Sequence, residues 1–182
     1  MQNFVRTGLV LVLFSAFIGR AEEGEKGKLH PYKTAKIGDW ITYQVTATAE
    51  NGRKTKVSYT LKVTEVNEFA VKMSIGEKNE EREMPPGEID VELNKPHHWG
   101  KMGGSHYQKQ GEATEKITVG GKTYDCKRTD YVITSDVPEQ EVTTEKVWVC
   151  TDVALDQIVK SELTIGKKTI VRELVASGKA GK

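Results

Sequence analysis

The sequence predicts an all-β protein, an antiparallel meander of about eight or nine strands forming a curved sheet, half-barrel or barrel. Three observations lead there. Apolar residues recur at every second position in run after run. Gly, Asn and Pro punctuate those runs at short intervals. Beyond residue 21 there is no apolar stripe of helical period and length.

The first 21 residues are set aside before any fold reasoning. Met1 to Gly8 carries one cation, Arg6, and Leu9 to Gly19 is an unbroken run of apolar and small residues. Gly19 and Ala21 then stand before an acidic stretch. This is the three-part order of a secretory signal. The run is shorter than the roughly 20 residues that cross a bilayer core, which disfavours the alternative of a retained anchor. The lack of a Cys near the cut disfavours a lipoprotein, and without twin arginines the chain is expected to be exported unfolded. Residues 22–37 read as a charged linker, in which His30-Pro31-Tyr32 could pin the chain to the domain. Residues 38–178 read as one antiparallel β domain with a long loop at 76–112, and 179–182 as a tail.

Charge excludes some functions. The chain has 27 Lys+Arg and 26 Asp+Glu; without Arg6 and Arg20 the count is 25 against 26, a net charge near −1. A nucleic-acid binder would carry a basic excess. Stable membrane insertion after signal removal is not expected either.

Along the chain, Ile41, Tyr43, Val45, Ala47 and Ala49 alternate with polar residues, and Val57, Tyr59, Leu61 and Val63 do the same. A two-residue Asn51-Gly52 turn would set apolar against polar residues. A three-residue Glu50-Asn51-Gly52 loop sets Val45 opposite Val57 and Tyr43 opposite Tyr59, with Gly52 left-handed. A third strand follows at Phe69 to Ile75. Residues 76–112 read as loop, interrupted by one short strand at Ile89, Val91 and Leu93; Pro85-Pro86-Gly87, Pro96 and four glycines argue against more. Strand signals resume at Ile117 and Val119, Tyr124 to Thr134, Val142 to Cys150, Gln157 to Ile165 and Thr169 to Ala176. Asp152 to Asp156 has room for one helical turn.

The two cysteines give the sharpest expectation. A hairpin centred on Pro138 makes residues whose numbers sum to 276 face each other, which pairs Cys126 with Cys150 and Asp130 with Lys146. In an oxidising compartment such thiols form a disulfide. Closing a loop of about 25 residues would stabilise the fold by roughly 3 kcal/mol on the chain-entropy view. The alternative is a pair of reduced, buried thiols. Cys-x-x-Cys is absent, which removes the usual redox motif.

His97, His98 and His106 cluster with Trp99 and Tyr107 in a Gly-rich stretch. Imidazoles at that density could hold zinc or copper, although the spacing matches no established motif. The alternative is a solvated polar loop. Ser105-His106 lacks the strand–turn–helix setting of a nucleophile elbow, the carboxylates at Glu80 to Asp90 read as solvated, and no phosphate-cradling loop leads into a helix. Trp40, Trp99 and Tyr107 are candidate ligand-stacking aromatics, while Trp148 is expected to pack on the cysteine pair.

Three segments, Gly38-Asp39-Trp40-Ile41-Thr42-Tyr43, Gly121-Lys122-Thr123-Tyr124-Asp125-Cys126 and Val147-Trp148-Val149-Cys150 through Ile158-Val159-Lys160, resemble a recurring type of exported bacterial β protein. That type is itself similar to the half-barrel lipoprotein carriers of the LolA/LolB-like group. The resemblance implies a curved antiparallel sheet with an apolar concave face and a covering loop, and no functional residue carries over. The resulting expectation is a periplasmic or secreted, non-enzymatic domain binding an apolar or peptide ligand under the 76–112 loop, without a cofactor. A metal-binding protein or metal-dependent hydrolase using His97, His98 and His106 is the first alternative. A structural envelope accessory protein is the second, its partner another envelope protein.

Overall fold

The first hairpin forms as its turn chemistry dictates. The chain is described from a computed structural model over residues 30–79, 83–95, 105–135 and 141–180. In it, β1 (Trp40–Thr48) pairs with β2 (Lys54–Val66), setting Tyr43 opposite Tyr59 and Val45 opposite Val57. Gly52 sits at φ 79°, the left-handed conformation that closes a bulged loop without a Cβ clash.

Seven further strands follow: β3 (Ala70–Asn79), β4 (Glu83–Glu92), β5 (Ser105–Val119), β6 (Lys122–Ser135), β7 (Thr143–Val149), β8 (Ile158–Ile165) and β9 (Lys168–Gly178). All nine lie in one antiparallel sheet in the order β4-β3-β2-β1-β9-β8-β7-β6-β5. It is a meander with one long-range closure, the pairing of the first strand with the last. The sheet is open, with β4 and β5 as its edges.

The alternation seen in the sequence becomes a buried row on one face of β1, β2, β3 and β9. Ile41, Tyr43 and Val45 meet Tyr59, Leu61, Val63, Val71 and Met73 on one side and Leu174 on the other, all buried. Tyr32, Val153, Ala154 and Leu155 belong to the same cluster. Tyr32 comes from a 3-10 turn at Pro31–Thr34 that His30 caps by accepting a hydrogen bond at Nδ1 from the Tyr32 N–H, 3.3 Å away.

Several sequence expectations need correction. The loop placed at 76–112 is largely strand: β3 runs on to Asn79, β4 spans Glu83–Glu92, and β5 begins at Ser105. Pro85 and Pro86 are tolerated because β4 is an edge strand, with a register shift against β3 between Ile75 and Glu77. The early part of β5 eluded the pattern because an edge strand need not alternate cleanly; Gln108, Lys109 and Gln110 are all exposed. Residues 30–37, expected as linker, include the docked turn. The tail is anchored at Ala180, whose N–H donates to Asp39 Oδ1 over 2.8 Å. Asp152 to Asp156 forms turns rather than a helical turn. The signal segment 1–21, Pro96 to Gly104 and Pro138 lie outside the described residues.

Candidate functional site

Where the sheet ends near Trp40 and Gly178, three pieces of chain enclose a cleft of about 350 Å³. One wall is the 3-10 turn with Ala35 and Lys36, the second is the β7–β8 connection from Thr151 to Gln157, and the third is Lys179 and Ala180. Asp39 joins the first wall to the third, accepting from the Lys36 N–H at 2.9 Å as well as from Ala180. The lining is mixed: Pro31, Ala35, Val153, Ala154 and Leu155 give it apolar surface, while Thr34, Asp39, Thr151, Gln157 and the ammonium groups of Lys36 and Lys179 make about half of it polar.

The β7–β8 connection holds an unusual backbone. Leu155 and Gln157 have φ of 58° and 61°, left-handed values at non-glycine residues on either side of Asp156. What over-determines them is the carboxylate between. Asp156 is buried and its Oδ1 bonds the Tyr43 hydroxyl and, at 3.2 Å, the Ile158 N–H. The Tyr43 hydroxyl also lies 2.9 Å from the Ile158 carbonyl, so its single proton is shared between two acceptors.

A buried cation completes the cluster. Arg172 on β9 shares a face with Val45 and Ser161, its direct cross-strand neighbours. Its Nη1 lies 3.8 Å from Asp156 Oδ2 and donates to the Tyr59 hydroxyl at 3.4 Å, and its guanidinium carbon sits 5.0 Å from the Tyr43 ring centre. Burial pushes the Asp156 carboxyl above its ordinary range, against the pull of Arg172. Burial likewise drives the Tyr32 and Tyr43 phenols well above theirs. These phenols therefore stay neutral near pH 7 and work as hydrogen-bond partners, not as bases.

Glu145 is a second buried carboxyl on the same face, flanked by Tyr131 on β6 and Leu163 on β8. It is 3 % exposed, and its Oε2 finds no hydrogen-bond partner among the described residues. Burial pushes its pKa up to about 7, with the charge of Arg172 opposing.

On the opposite face of β5 to β9, Trp148 is buried beneath charged side chains. Its Nε1 donates to Glu115, and Lys160 Nζ lies 5.5 Å from the ring centre. Arg128 spans Asp130 at 3.0 Å and Glu115 at 3.4 Å, while Lys160 meets Glu162 at 2.8 Å and Glu173 at 3.6 Å. Cys126 and Cys150 lie beside this network, both buried and both free thiols in the structure.

The aromatic trio expected to stack a ligand is not assembled. Trp40 is half-buried over Gly178, so close that a Cβ on that glycine would strike the indole. Tyr107 packs edge-on against Tyr131, centroids 6.1 Å apart, in the cross-strand row that ends at Lys168. Lys168 and Gly178 are opposite ends of β9, which sets Trp40 and Tyr107 at opposite ends of the sheet. Trp99 lies outside the described residues, as do His97 and His98. His106 is on β5, opposite Thr134. Among the described residues no group of three His, Cys, Asp or Glu could hold a metal.

Sequence reasoning missed Asp156, Arg172, Glu145 and Asp39. A signal existed for two of them. Arg172 shares strand parity with Ile170 and Leu174, and Glu145 shares it with Thr143 and Val147. A charge at an inward-parity position must find a partner or stay neutral.

No known protein family profile matches the chain, and no curated protein matches it. Among solved structures it is similar to a crystal structure from Bacteroides fragilis, described as that of an inferred exported protein with a YmcC-like fold. The two share 9 % identity at a TM-score of 0.50, over 90 % of this chain and 100 % of the other. This likeness bears on fold alone.

Proposed function

We propose that this chain is an exported, non-enzymatic β domain that holds a small apolar or peptide ligand in the cleft between the 3-10 turn, the β7–β8 connection and the C-terminal residues. The observation that carries the reading is the braced cleft wall. Two left-handed non-glycine residues are held by a buried Asp156–Tyr43–Arg172 cluster, and strain of that kind concentrates at ligand clamps. A volume near 350 Å³ falls at the small end of the range for ligand sites. Walls that are half apolar and half polar, with Lys36 and Lys179 among them, suit a small ligand with an apolar part and an anionic end. Export is supported by the signal-like Met1 to Ala21 and by the description of the B. fragilis neighbour.

The test uses native mass spectrometry of the full chain recovered from its own cell envelope, together with titration by the anionic apolar dye anilinonaphthalene sulfonate. A bound extra mass and saturable dye fluorescence are expected, and both should be lost in Ala35→Trp, which fills the cleft. An Ala35→Trp protein that melts like the parent and still binds both equally would sink the reading.

A further inference from the structure

We infer that Cys126 and Cys150 are joined by a disulfide in the mature protein and that this bond forms during folding, not after it. The β6–β7 ladder pairs Asp130 with Lys146, Arg128 with Trp148 and Lys127 with Val149. The ladder ends at that pair, and the same register carried one step beyond it would set Cys126 against Cys150. Facing residues of an antiparallel pair have Cα atoms about 4.5–5.5 Å apart, inside the window a disulfide spans. Both thiols are buried, so neither has an outside partner to bond. Each also raises the pKa of the Tyr124 phenol, and Cys150 raises that of Cys126, which puts the three side chains in one neighbourhood.

The surroundings argue for a structural bond and against a catalytic thiol. Burial, Cys150 and the carboxylates of Asp125 and Glu115 push the Cys126 thiol up to about 11. A catalytic cysteine needs the reverse, a cation or helix terminus that lowers it. The same shift has a kinetic consequence. Thiol–disulfide exchange proceeds through the thiolate, which the folded site suppresses and shields. In the unfolded chain both cysteines are accessible to an oxidant, so oxidation belongs to the folding phase.

The chemistry balances as two exchanges. One cysteine thiolate attacks the disulfide of a thiol–disulfide oxidoreductase, or of oxidised glutathione in vitro, and expels one thiolate. The second cysteine then attacks the mixed disulfide and expels the other. The protein loses two hydrogens, and the oxidant gains two electrons and two protons. The inference rests on the export reading for its oxidising compartment, but not for its geometry.

Refolding the reduced full chain from urea with a reduced and oxidised glutathione buffer tests the geometry. The product should lose the mass of two hydrogens, take up no alkylating reagent when denatured, and melt about 6–12 °C higher than its reduced form. The folded, reduced protein in the same buffer should oxidise far more slowly. The Cys126→Ser/Cys150→Ser variant, which should fold, lacks the redox-dependent shift in melting. Intermolecular dimers, mixed glutathione adducts or two alkylated cysteines after refolding would overturn the inference. Oxidation on refolding, with fractionation finding the chain inside the cell, would leave the pairing standing and remove the export reading instead.

Discussion

Glu145 is a residue whose acidity the fold alters strongly. Its carboxyl is held neutral by burial, with a pKa near 7, whereas in an unfolded chain it titrates near 4.5. Unfolding therefore lets the group ionise freely once the pH passes the lower value. The stabilisation relative to the unfolded state is whole below pH 4.5 and is lost progressively as the pH rises through 7. A gap of this size corresponds to about 3 kcal/mol. Urea unfolding at pH 5 and pH 8 should show the fold more stable at the lower pH, and Glu145→Gln should flatten that slope; equal slopes would show that Glu145 is not the source. Asp156 contributes in the same direction, since its carboxyl is also raised. Arg172 is its counterweight. Arg172→Leu leaves the Asp156 carboxyl buried without a cation and should destabilise by about 3–5 kcal/mol. Adding Asp156→Asn should restore part of the loss, because the stranded charge is then gone; chemical denaturation of both variants measures this. None of these roles was legible from neighbours in sequence. Asp156 and Tyr43 are 113 residues apart, and only the folded sheet brings them together.

At the scale of elements, what could be read in advance was whatever depends on local period and turn chemistry. The β1–β2 register followed from Val45, Val57 and Gly52, and the β6–β7 register from Asp130 and Lys146. Both hairpins bury one side, so a one-residue slip would expose a whole row of apolar groups. The edges were illegible for the converse reason. β4 and the start of β5 each have a neighbour on one side only, and nothing compels them to alternate. The two edges are also blunted. β4 has Pro85 and Pro86, and β5 has a register shift between Lys109 and Gly111 along with Lys109, Glu112, Glu115 and Lys116. Replacing both prolines with valine restores two backbone N–H groups, one of which faces the open edge of β4, and should promote self-association, seen as a larger sedimentation coefficient at high concentration. Unchanged sedimentation would mean that the prolines do not guard that edge. Within the core, Met73→Ala should cost about 2–5 kcal/mol by thermal or urea melting, since Met73 is almost wholly enclosed.

For the whole molecule, the nine-stranded open sheet matches the expected fold class, and the cleft is where the expectation fell short. The cleft is built from three segments distant in sequence and from no motif, so no local pattern announces it. The central seam of the sheet is the β1–β9 pair, with Thr48 opposite Thr169 and Trp40 opposite Gly178. A chain truncated after Ile165 lacks β9 and should fail to fold, giving no near-ultraviolet circular dichroism. This seam also sets the order of events as the polypeptide is made. The first strand can pair with the second as soon as both are made, but its other edge stays open until the last strand arrives. The sheet therefore reaches its full width only when the final segment arrives, so the step that commits the chain to its shape is expected to follow the making of β9, after the local hairpins on either side have formed.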